Sequence, residues 1–465
     1  MISSLRRKFV GDRAFYKMAL AIAVPIMIQN GITQFVSMLD NIMVGQVGTL
    51  PMSGVSIVNQ LLFVFYLVIF GATAGAGIFT AQFQGSGDHA GVRSTFRFKF
   101  LICTALGIGG VVLFACAGTP LIRLFLTGEG AASDANAILE YGQGYLEWML
   151  LGLLPFAITS AYAGTLKETG QTFIPMLGGI VATLVNLVLN YILIFGHFGA
   201  PEMGVEGAAL ATVISRFVEL GVVAGWTHLN PGKNPFIVGA YRSFVIPSGL
   251  LKNIIVKGMP LLANELLWST GMTFMNQSYS TCGLDVVPAL NITSTLFNLT
   301  SVVFMSMGAA DGILMGQMLG ASTPADEVKS ASRKLIALSV ASGLLFGLLS
   351  IALSGVFPHI YNTSLSVRQL ASRMIIICSL FMAFDGIANA SYFLLRSGGQ
   401  TYITFLFDCG FVWACMVPLG LFLSRVLHLG ILPLYFCCQC TNVLKAFLGI
   451  WFLNKGAWIQ NLTIE

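Results

Sequence analysis

Charge is scarce in this chain: 9% of its 465 residues are Asp, Glu, Lys or Arg, where soluble domains carry about 25%. So few charged groups cannot cover a water-facing surface, which excludes a disordered chain and a protein built chiefly to bind nucleic acid. Cysteine gives no disulfide framework, because the nine residues are an odd number and lie almost wholly in apolar runs. They read as small buried hydrophobes. Cys437, Cys438 and Cys440 cluster without a histidine partner, so packing rather than a metal is expected there. The five histidines (His89, His197, His228, His359 and His428) fall in loops or at segment ends and suggest no role. No Walker-type phosphate loop is present, so ATP is not the expected direct energy source. No nucleophile or metal cluster stands at a water boundary either, so neither an enzyme nor a cofactor is expected.

What abounds is apolar surface: 56% hydrophobic residues, 35 Phe, 51 Gly and a mean hydropathy of +0.83. About 20 apolar residues span a bilayer as a helix. Twelve such segments lie near 18–44, 53–82, 98–120, 137–161, 173–195, 205–228, 254–279, 288–316, 335–357, 369–395, 401–424 and 431–453. A membrane barrel would instead show alternating strands of ~10 residues. The basic N-terminus has no small-residue cleavage site and is expected to be retained with the first span.

Assigning loops to alternate sides puts 19 Lys and Arg on the side of the N-terminus, Lys99, Lys167 and Lys445 among them. Four fall on the other side, and Arg216 falls within a span. The positive-inside rule then places both termini in the cytoplasm of a multi-pass plasma-membrane protein, expected in a bacterial inner membrane.

A shift of 235 residues brings Pro25 onto Pro260, Gly77-Ile78 onto Gly312-Ile313, and Gln82-x-x-Gly85 onto Gln317-x-x-Gly320. A shift of 229 brings Leu166-Lys167-x-x-Gly170-Gln171-Thr172 onto Leu395-Arg396-x-x-Gly399-Gln400-Thr401. Six spans per half is an even number, so both halves enter the membrane from one side and the repeat is parallel. The expected fold is an all-α integral membrane protein of twelve transmembrane helices, in two six-helix lobes related by a parallel pseudo-two-fold. The lobes are 1–228 and 254–465, joined by a cytoplasmic loop over 229–253 that carries Pro231, Pro235 and Pro247. Two such halves suit alternating access in a secondary transporter.

An acid inside a span is costly and points to function. Asp40, Asn186, Asn190 and Thr212 fall at comparable depth and form one candidate layer. One carboxylate with amide and hydroxyl oxygens suits a hard cation such as Na⁺, and equally a protonatable acid. Glu265 and Asp385 share a depth in the second half, with Asp311 and Asp408 slightly nearer the cytoplasm. Each of these acids has a structural alternative as a helix cap or an interhelical bond. Glu219 lies one turn from Arg216 and pairs with it on the simplest reading. Gln34, Trp268, Asn276, Asp311 and Asp408 are candidate substrate contacts. Pro25 and Pro260 permit equivalent bends in the first helix of each half.

Several stretches together resemble a known family: Asp40-Asn-Ile-Met-Val-Gly45, Gln82-x-x-Gly85, Leu166-Lys167-x-x-Gly170-Gln171-Thr172, Asn186-Leu-Val-Leu-Asn190 and Gly204-x-x-Gly207-Ala-Ala-Leu-Ala-Thr212. Their order and spacing resemble the multidrug and toxic compound extrusion (MATE) transporters over nearly the whole chain. The resemblance implies twelve helices in two lobes and efflux of small amphipathic or cationic organic compounds in exchange for H⁺ or Na⁺. It implies the lipid bilayer as the environment, with no nucleic acid and no obligate protein partner. Asp40 matches the family's first-helix acid, and Asn186 and Thr212 match its polar neighbours. Asn190 departs from the pattern, since some members carry Asp there. Asp385 and Glu265 resemble the C-lobe cation-site acids of the NorM-like branch, although Glu265 stands about a turn closer to Pro260. The alternative within transport is a flippase for a lipid-linked or other large amphipathic precursor.

Overall fold

In hydrocarbon every backbone N–H and C=O must be satisfied within its own segment, so long apolar runs fold as helices. The computed structural model describes residues 9–126 and 132–463. Arg6, Arg7 and Lys8 of the basic N-terminus lie outside the described residues. The first half contains α1 (Arg13–Val47), α2 (Thr49–Ser86), α3 (His89–Leu124), α4 (Ala132–Glu168), α5 (Phe173–Phe195) and α6 (Gly204–Leu229). The second contains α7 (Ser248–Ser280), α8 (Val286–Gly320), α9 (Ala325–Leu353), α10 (Leu365–Ser397), α11 (Thr401–Arg425) and α12 (Ile431–Lys455). Among the described residues, eleven helices are long and apolar enough to cross a membrane. The twelfth, α7, dilutes its apolar residues with Lys252, Lys257, Asn264, Glu265 and Asn276. Side chains such as Val112 and Leu113 on α3, and Leu345 and Leu348 on α9, are exposed, as a lipid-facing surface requires. The chain is a multi-pass membrane protein.

Two compact units form, and neither is continuous in sequence. One comprises 28–80 and 88–258; the other comprises 1–27, 81–87 and 259–465. The changeovers in α1 and α7 fall beside Pro25 and Pro260, each twelve residues past the start of its helix. Each proline removes a helical hydrogen bond where its helix passes from one unit to the other. Within the first unit α3 packs on α4 and α4 on α6; within the second α9 packs on α10 and α10 on α12. That is the same neighbour pattern at equivalent positions of the repeat.

The sharpest repeat motif owes its form to backbone geometry. Gly170 and Gly399, with φ of +86° and +74°, turn the chain just after α4 and α10 in a conformation that L side chains rarely adopt. The carbonyls of Lys167 and Arg396 accept from the two glycine N–H groups at 3.0 and 2.9 Å.

The segment after α12 folds back over the ends of α2 and α10. Gln82 is fully buried there; its amide donates to the carbonyls of Ser397 (2.9 Å) and Gln460 (3.1 Å) and its Oε1 accepts from Leu462 N (2.7 Å). A buried amide bound three times over is costly to remove, because its former partners are stranded. Gln82→Ala is expected to cost about 2–4 kcal/mol. Thermal melts of the purified protein check this, and a midpoint equal to that of the parent would contradict it.

The loop between the halves is held on the first unit by two arginines. Arg93 donates to the carbonyls of Pro235 and Phe236, and Arg97 to those of Gly239, Ala240 and Val245.

Candidate functional site

Asn186 and Asn190 stand one turn apart on the same face of α5. Helix α6 reaches them because Gly207 has no side chain: a Cβ there would lie 2.6 Å from the Leu193 carbonyl oxygen. Gly204-x-x-Gly207 thus lets two backbones approach closely, in the manner of small-residue packing between membrane helices. The approach carries Thr212 to Asn186, and α1 supplies Asp40 from seven residues short of its end. Asn190 Nδ2 donates to Asp40 Oδ1 at 2.7 Å. The Asn186 amide satisfies its neighbours with its nitrogen 3.1 Å from each Asp40 oxygen and its oxygen accepting from Thr212 N (3.3 Å) and Oγ1 (3.2 Å). All four residues expected in this layer meet.

One atom of the layer is unmatched. Asn190 Oδ1 is buried and has no hydrogen-bond partner among the described residues. Native proteins seldom leave such an acceptor alone. A cavity of about 110 Å³ opens beside the layer, lined by Asp40, Asn186 and Thr212 and continuing past Gln29 and Ser215 to Arg216 and Glu219. Arg216 and Glu219 pair at 3.3 Å, and the guanidinium lies over the Phe156 ring.

In the second unit, Asp408 lies in a π-helical turn of α11, Leu406–Gly410. Its Oδ1 is 2.5 Å from Lys445 Nζ and its Oδ2 accepts from Asn264 Nδ2 at 2.9 Å. Asn264 Oδ1 accepts from Cys409 N at 3.2 Å, so one amide serves both the carboxylate and the distorted backbone. Next to Asn264, Glu265 accepts from Tyr392 OH at 3.3 Å. Asp385 stands half-buried on α10.

The five candidate substrate contacts have different surroundings. Gln34 is exposed on α1 and Asn276 exposed on α7, Trp268 packs against an apolar cluster around Met275 and Tyr279, and Asp311 is fully buried on α8. Asp408 joins the polar group around Glu265 through Asn264. Two placements of basic residues need correction. Lys445, counted with the cytoplasmic loops, sits ten residues inside α12 and pairs with Asp408. Lys99, counted likewise, is fully buried on α3 and pairs with Glu168. Arg216 is therefore not the sole base buried among the helices. Lys99 stands at the start of the expected span 98–120 and counts as its flank, whereas Lys445 already lies inside the expected span 431–453; hydropathy carries no signal of a partner on another helix.

The chain is 25% identical to a probable multidrug resistance protein NorM of Thermotoga maritima over 454 residues, 95% of this chain and 93% of that one. Its fold matches a MOP superfamily transporter from Pyrococcus furiosus with a TM-score of 0.84 at 19% identity, over 98% of both chains. It also matches the Vibrio cholerae MATE transporter VcmN in its bent form, with a TM-score of 0.82 at 18% identity, over 95% of this chain and 97% of that one. The MatE family profile matches residues 25–192 and 260–420, two blocks that begin at the pair of prolines the 235-residue shift superposes. With most of its length in those two blocks, the chain belongs to the MatE family of membrane transport proteins.

Proposed function

We propose that the protein exports amphipathic or cationic organic compounds across a bacterial inner membrane by antiport with H⁺ or Na⁺, with Asp40 as the acid that takes up the ion. In this reading both termini are cytoplasmic, and the halves 1–228 and 254–465 alternate access about the loop 229–253. The unmatched Asn190 Oδ1 beside Asp40 carries the proposal. A bound Na⁺ gives that oxygen and the carboxylate a common partner. A proton on Asp40 gives the carboxyl a donor to turn towards it. Either ion neutralises the half-buried charge on the cavity wall, which alters the stability of the lining and links ion binding to conformation. The resemblance of the chain to a multidrug resistance protein supports organic compounds as the cargo.

The test is uptake of a fluorescent organic cation into inverted membrane vesicles, with Na⁺ and proton gradients imposed separately. One of the two gradients is expected to drive accumulation well above that in vesicles lacking the protein. No response to either, together with translocation of a fluorescent phospholipid analogue, would favour movement of a lipid-linked or other large amphipathic precursor instead.

A further inference from the structure

Lys445 is an unusual residue for its position. It stands ten residues before the end of α12, about 15 Å along the axis at 1.5 Å per residue, too deep to reach water at that end with its side chain alone. A lysine at such depth persists when paired and marks function more often than packing. Its ammonium lies 2.5 Å from Asp408 Oδ1 and 5.5 Å from the centre of the Phe407 ring. The pair is built into the fold. The π turn of α11 presents Asp408, and Asn264 clamps both the other carboxylate oxygen and the Cys409 N–H of that turn.

The surrounding charges define what the ammonium does. Two carboxylates meet around Asn264: Asp408 from α11, which binds the Asn264 amide and Lys445, and the adjacent Glu265 from α7, which accepts from Tyr392 OH. Carboxylate oxygens of this kind suit a hard monovalent cation. The place of such a cation is already taken by a group of the same charge. A tethered ammonium has an effective local concentration of millimolar or more and loses no translational freedom on binding, so a free ion competes poorly.

We propose that Lys445 is a built-in counter-cation that closes the acidic cluster of the second unit to free Na⁺, leaving ion exchange to Asp40. The proposal rests on the reading of Asp40 as the exchanging acid. Its test is a binding measurement on purified protein, so the two can fail separately.

The experiment compares thermal midpoints in NaCl and in choline chloride at equal ionic strength, and ²²Na⁺ binding by scintillation proximity, all in an Asp40→Asn background that silences the first unit. With Lys445 in place, no difference between the salts and no saturable ²²Na⁺ binding is expected. Lys445→Ala is expected to gain saturable ²²Na⁺ binding and a Na⁺-specific rise in midpoint of about 1–2 °C at ten times the dissociation constant. Lys445→Gln keeps the length of the side chain without its charge and asks the same question where alanine folds poorly. Lys445→Arg restores the charge and is expected to abolish the Na⁺ response. Adding Asp408→Asn to Lys445→Ala or Lys445→Gln should also abolish it.

A merely structural ion pair predicts a different pattern, with Lys445→Ala and Lys445→Gln losing stability equally in both salts. That result, or Na⁺ binding that depends on Asp408 while Lys445 is still present, overturns the proposal. Normal gradient-driven transport by Asp40→Asn would refute the role of Asp40 and leave the ²²Na⁺ result standing on its own.

Discussion

Asp40→Asn is expected to reduce gradient-driven transport by about tenfold or more, the scale of coupling free energies between linked sites. The substitution preserves size and shape, so the hydrogen bond from Asn190 and one of the two contacts to Asn186 survive through the remaining carbonyl oxygen. What disappears is the charge that a proton or Na⁺ would neutralise. Binding that no longer distinguishes two conformations no longer drives the protein between them. Asn190→Ala and Thr212→Ala should act more weakly, because each leaves the acid in place and removes one neighbour. The measurement is uptake into inverted vesicles at matched protein levels, with Glu265→Gln alongside. Wild-type accumulation by Asp40→Asn and its loss in Glu265→Gln would place coupling in the second unit.

The second large effect concerns the two Gln-x-x-Gly motifs. They pack against each other within one compact unit: a Cβ on Gly85 would stand 2.0 Å from the Gln317 carbonyl oxygen, and one on Gly320 would stand 1.8 Å from that of Gln82. Both obstacles are backbone atoms and cannot rotate away, so the helices must separate. Gly85→Ala or Gly320→Ala is expected to cost about 3 kcal/mol or more, at the upper end of overpacking effects. The pair should be strongly non-additive. Once one methyl group has pushed the helices apart, the second finds room, so the double variant costs about as much as either single one. A double-mutant cycle of thermal midpoints measures this. Fully additive losses would mean that the two glycines sit in separate contacts.

The twelve helices and the parallel repeat could be read in advance because hydrocarbon imposes a coarse requirement that composition satisfies openly. The ends could not. The third span, expected over 98–120, is a helix over His89–Leu124, and at 36 residues it exceeds what a bilayer core requires. Its extra turns carry His89, Arg93 and Arg97, which hydropathy counts as loop. The Asp40 layer was legible because its polar residues recur at helical spacing in strongly apolar surroundings. The partner of Lys445 was not, since Asp408 lies 37 positions away on another helix. Nor was the clasp around Gln82, whose bond to Leu462 spans 380 positions. Local pattern reports which face of a helix is polar, and only the fold reports which faces meet.

The two arginines that hold the loop between the halves do so through carbonyl oxygens alone, those of residues 235, 236, 239, 240 and 245. Every amino acid supplies a carbonyl. A fastening of this kind recognises the path of the chain and is indifferent to its spelling. That clasp is indifferent to exchange at outward-facing positions such as Val238, whereas Phe236, Ile237 and Ala240 are buried and Phe236 packs on the Phe96 ring, so the seat of the loop rests on those side chains as well as on Arg93 and Arg97.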